Sequence, residues 1–75
     1  MTKQEFEKLL LLAQKGDVNA MYLVALEYEL GEVVDEDIDE AVAWMNEAAD
    51  RGHSEALDWL KDYYFDDDAN VQSYS

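Results

Sequence analysis

The chain has 75 residues, five of them basic and nineteen acidic, for a formal net charge of −14. That balance excludes a direct grip on DNA, RNA or an anionic membrane, which needs Lys and Arg against phosphate, and makes a basic protein partner the complementary expectation. With no Cys and no metal-ligand cluster, a domain this near the lower size limit must be held by helix packing, by self-association or by a partner.

Proline is absent and glycine occurs only at 16, 31 and 52, which points to an all-α chain. No run approaches the roughly 20 apolar residues of a membrane span. Leu9 to Leu12 is too short for a signal-peptide core, and Glu5 and Glu7 stand where a signal would be positive, so the chain reads as cytoplasmic.

In chain order, Thr2 with Glu5 has capping-box spacing, and Phe6, Leu9, Leu10 and Ala13 share one face of a helix over about 3–15. Leu11 and Leu12 widen that face, toward a second neighbour or toward a partner. Gly16 ends the helix and Asp17 is placed to cap the next. This second helix runs over about 18–30, with Ala20, Met21, Val24, Ala25 and Tyr28 inward and Tyr22, Leu23 and Leu26 on its other side. Gly31 stops it.

Glu32, Asp35, Glu36, Asp37, Asp39 and Glu40 form the densest charge in the chain. Asp35, Asp37 and Asp39 fit the first alternating ligands of a calcium loop, but Glu40 replaces the glycine such a loop requires and Asn46 its bidentate Glu, so no metal site is expected. Helix capping and a favourable first-turn dipole explain these acids instead. The third helix, about 38–51, sets Ile38, Ala41, Val42, Met45, Ala48 and Ala49 on one face with Trp44 beside it. Asp37 and Glu40 have capping-box spacing at its start, and Arg51-Gly52 marks its end. His53 or Ser54 caps a fourth helix over about 54–64, with Ala56, Leu57, Leu60 and Tyr64 inward and Trp59, Tyr63 and Phe65 left over. Residues 66–75 lack periodicity and read as an acidic flexible tail carrying Asp66, Asp67 and Asp68.

A shift of 36 positions superposes Ala13, Lys15, Gly16 and Ala20 on Ala49, Arg51, Gly52 and Ala56, and Met21, Val24 and Tyr28 on Leu57, Leu60 and Tyr64. A glycine corner between two helical patterns thus occurs twice, the signature of a helical-pair repeat whose units bury their apolar faces by stacking. The expected fold is a short α/α solenoid of four antiparallel helices occupying residues 1–65.

Ala20, Val24, Ala25, Tyr28, Gly31, Val34, Asp37, Ala41, Trp44, Ala48, Ala49 and Gly52 stand in an ungapped register that resembles the SEL-like repeats (SLR), relatives of the tetratricopeptide repeat. The resemblance covers one full repeat, about 20–52, flanked by half-repeats. It departs at Val33 and Glu40, where the family pattern has Gly and Lys. Glu5, Lys8, Lys61 and Asp67 likewise break the pattern in the flanking units, which look like polar caps. The resemblance implies a protein-binding scaffold whose concave side carries the first helix of each pair, here Tyr22, Leu23, Leu26, Asp58, Trp59 and Asp62.

The residues themselves offer little for catalysis: one His, no Cys and no glycine-rich phosphate loop. His53 beside Ser54 reads as capping rather than as a nucleophile pair. No enzyme, cofactor or metal is expected. Three roles remain open: an interaction module for a basic protein, an acidic inhibitor that mimics nucleic acid, and a self-associating repeat that pairs as a twofold dimer. Tyr22 and Trp59 could also simply pack on each other across neighbouring helices.

Overall fold

The computed structural model describes the backbone of residues 1–71 and the side chains of residues 1–65. Four helices follow one another: α1 (Lys3–Gln14), α2 (Val18–Leu30), α3 (Ile38–Asp50) and α4 (Ser54–Val71), with no strand among the described residues. Each packs on the next, α1 on α2, α2 on α3 and α3 on α4. The fold is all-α, a short stack of antiparallel neighbours. Its thin dimension is 16 Å, room for two layers of helices at the usual spacing of roughly 9 Å.

The two corners at Gly16 and Gly52 are built alike. At the first, the Gly16 N–H donates to the Ala13 carbonyl at 3.0 Å and the Asp17 N–H to the Leu12 carbonyl at 3.0 Å. At the second, Gly52 donates to Ala49 at 2.9 Å and His53 to Ala48 at 3.1 Å. Each set of bonds is a Schellman closure, which satisfies carbonyls the helix end would otherwise orphan and needs a left-handed residue at the glycine. Arg51 completes the second closure by donating to the Glu47 carbonyl at 3.0 Å and pairing with the Glu47 carboxylate at 2.6 Å.

The helix starts obey the caps written in the sequence, with one exception. Thr2 and Glu5 form the full reciprocal box, and Asp17 accepts the Ala20 N–H at 3.0 Å. At α3 the Asp37 carboxylate accepts the Glu40 N–H at 3.2 Å, but the return bond is missing. The Asp37 N–H is already donated to the Tyr28 carbonyl at 2.9 Å, so Glu40 has no donor to reach back for. That bond also ties the connector to the end of α2.

Small residues dominate the core, with Ala20, Ala25, Ala41, Ala48 and Ala56 buried around Val24, Met21, Met45, Leu60 and Phe6. Alanines let helix axes approach closely, and no charged or polar residue is buried as a whole among the described residues, although Glu27 Oε1 is shielded from solvent without a hydrogen-bond partner. The sequence pattern for α2 holds at Ala20, Met21, Val24 and Ala25 because α1 and α3 both pack on that helix. Tyr28 stands between the same two elements, its ring edge-on to Phe6 at 5.6 Å and facing the charges of Glu40 and Asp37.

Three expectations need correction. Leu57 and Tyr64, expected inward, are 47% and 54% exposed. Their repeat mates Met21 and Tyr28 lie under two neighbouring helices, whereas α4 has only α3 as a full packing neighbour. Ile38, expected on the buried face of α3, opens to solvent at the start of that helix. Finally, α4 does not stop at 64 but continues to Val71, since no Gly or Pro follows Gly52 to break it. Asp66, Asp67 and Asp68 therefore sit on helical backbone; their side chains, and residues 72–75 of the expected tail, lie outside the described residues.

Candidate functional site

Two side-chain links cross from α2 to α4 without passing through α3. Near the helix starts, the Tyr22 ring stacks on the His53 imidazole, centroids 4.5 Å apart and planes 24° from parallel. Further along, the Trp59 indole N–H donates to Glu29 Oε1 at 3.0 Å. Since both links run forward along both helices, α2 and α4 lie parallel in one layer. They form a shared face of the kind expected to carry the site.

His53 is fixed twice over. Its Nδ1 accepts the Ala56 N–H at 3.1 Å and caps α4, and its ring is held by Tyr22. Of the two candidates named for that cap, the imidazole is the one used; Ser54 is the first helical residue.

Beyond this corner the face opens into a cleft of about 360 Å³ lined by Glu29, Ile38, Trp59, Asp62 and Tyr63. Its aromatic wall is a pair from successive turns of α4: Trp59 and Tyr63 stack with centroids 5.5 Å apart and planes 10° from parallel. Such an i, i+4 pair is positioned by helix geometry alone. Tyr64 meets Tyr63 edge-on at 5.1 Å and buttresses it from the next position. Glu29 turns its carboxylate to the indole, while Asp62 has no hydrogen-bond or ion-pair partner among the described residues. No Lys or Arg lines the cleft.

Of the six residues expected to bind a partner, Trp59 and Asp62 meet in this cleft, and Tyr22, Leu23, Leu26 and Asp58 do not line it. Leu26 is half-buried against the core, Leu23 and Asp58 are exposed, and Tyr22 serves the His53 stack. The direct packing of Tyr22 on Trp59 does not occur, because each ring takes another partner. Glu29 and Ile38 join the cleft from outside the expected set, as does Tyr63, one of the aromatics left over on α4. Tyr63 carried a signal, standing four residues after Trp59, whereas Glu29 and Ile38 come to the cleft only through the stacking of α2, α3 and α4.

The acidic connector residues Glu32, Asp35, Glu36, Asp37, Asp39 and Glu40 are all exposed. Asp37 is committed to its cap and Asp39 and Glu40 to the first turn of α3. On the opposite side, between α1 and α3, a larger groove of about 620 Å³ runs past Lys15, Met21, Trp44, Glu47 and Arg51. Its charges are mixed, and Arg51 with Glu47 is already paired there. No helix among the described residues is long and apolar enough to cross a membrane. Compared with known proteins, the chain matches no family model, no curated protein and no solved structure.

Proposed function

We propose that this chain is a non-catalytic interaction module of the SEL-like repeat type, which takes a basic segment of another protein along the face shared by α2 and α4. The observation that carries the reading is the cleft itself. Two stacked aromatic rings are bordered by the carboxylates of Glu29 and Asp62, and no Lys or Arg among the described residues lines the cleft beside them. Aromatic anchors rimmed by uncompensated charge are what a cationic peptide needs for both affinity and orientation. The net charge of −14 adds long-range attraction to the same class of partner. The paired corners at Gly16 and Gly52, and the repeat register around them, support the scaffold reading.

The test is a titration of the isotope-labelled protein with a hexa-lysine peptide and with a neutral peptide of equal length at about 0.15 M salt, where surface charges are screened beyond roughly 8 Å. The expected result is that hexa-lysine shifts the resonances of Glu29, Trp59, Asp62 and Tyr63, and that Asp62→Asn and Tyr63→Ala weaken binding while leaving the helical spectrum intact. Shifts confined to the connector acids at 32–40 would instead favour a diffuse charge mimic. Absence of binding would overturn the proposal.

A further inference from the structure

Building on the basic-partner reading, we infer that the α2/α4 cleft is selective for a guanidinium, so that the partner presents an arginine side chain to it. Trp59 and Tyr63 are stacked with their planes 10° from parallel, and Tyr63 keeps 45% of its surface open. A planar, weakly hydrated guanidinium stacks on an open aromatic ring, whereas a compact ammonium holds its water and gains less from one ring.

The carboxylates fit the same geometry. Glu29 is oriented by the Trp59 indole through one oxygen, which leaves its second oxygen to accept from a ligand. Asp62 borders the cleft with both oxygens uncommitted among the described residues. An arginine fork has enough donors to serve both groups while its plane lies on the open Tyr63 ring, and carboxylate pairs of this kind are the stronger hydrogen bonds of such contacts. Ile38, half-open at the cleft margin, gives the aliphatic stem an apolar surface. At about 360 Å³ the cleft suits one long side chain rather than a helix.

Hexa-arginine and hexa-lysine peptides carry equal charge, and comparing them isolates the head group. Titrations at about 0.15 M salt, followed by the Trp59 indole N–H resonance, are expected to show hexa-arginine binding about threefold or more tighter, the size of an exposed cation–π contact. Asp62→Asn and Tyr63→Leu are expected to abolish that preference. Equal binding of the two peptides, both weakened by Asp62→Asn, would overturn the guanidinium inference and leave the basic-partner reading standing. An arginine preference untouched by either substitution would place it outside the cleft and overturn the inference. If neither peptide binds, both fall.

Discussion

Asp17 and His53 occupy the same station thirty-six positions apart, each accepting the backbone N–H of the alanine three residues on, Ala20 at 3.0 Å and Ala56 at 3.1 Å. A carboxylate and an imidazole share no chemistry beyond an acceptor in the right place, so the repeat conserves a hydrogen bond and not a residue type. Replacing either by Ala is expected to cost about 1 kcal/mol, as for caps generally. His53→Ala should cost more than Asp17→Ala, because it also removes the stack on Tyr22. Thermal melts of the two variants decide this; an equal loss would mean that the stack contributes nothing.

Gly31 and Gly52 make a second comparison. Both have positive φ, 72° and 94°, which an alanine adopts only with strain. A Cβ at Gly52 meets nothing within 4 Å, but at Gly31 it would come within 2.9 Å of the Glu36 Cβ and 3.2 Å of its backbone. Gly52→Ala should therefore cost about 1–2 kcal/mol, and Gly31→Ala measurably more, with disturbance of the connector through Asp37. Urea unfolding of the pair measures the difference.

The repeat mates Met21 and Leu57 should respond oppositely to truncation. Met21 is 3% exposed and Leu57 is 47% exposed. Met21→Ala should cost about 2–5 kcal/mol through the cavity it leaves, enough to unfold much of so small a domain, while Leu57→Ala should stay within about 1 kcal/mol. Circular dichroism at 25 °C separates these outcomes. A large loss at Leu57 would show that another surface covers it in solution.

Trp59→Phe keeps an aromatic wall beside Tyr63 but removes the donor to Glu29. The expected loss is about 0.5–1.5 kcal/mol. In a double-mutant cycle Glu29→Leu, which removes the acceptor, should add little once the indole N–H is gone. Independent, additive losses would show that the hydrogen bond does not form.

Tyr28 predicts the alkaline behaviour. Its hydroxyl titrates above the ordinary value of 10.0, first because burial disfavours phenolate and then because Glu40 and Asp37 repel it. The native state thus holds this proton more tightly than the unfolded chain. The contribution is complete below about pH 10 and is lost as pH rises through the native value. Tyr28→Phe should be nearly neutral at pH 7 and should reduce the fall in melting temperature between pH 9 and 11. An unchanged fall would assign the alkaline loss to the other tyrosines and to net charge.

The sequence by itself determined what depends on near neighbours. The glycine corners, the caps at Thr2, Asp17 and Asp37, and the apolar stripe of α2 all involve residues within a few positions of one another, so spacing alone specifies them. Even the Trp59–Tyr63 wall of the cleft was legible as an i, i+4 pair. Tertiary structure decided the rest. It gave Tyr22 to His53 and Glu29 to Trp59, contacts between residues about thirty positions apart that no local pattern encodes. It also left Leu57 and Tyr64 open while burying Met21. A periodic apolar residue records which face a helix would bury, but only the number of helices packed against that face decides whether water leaves it.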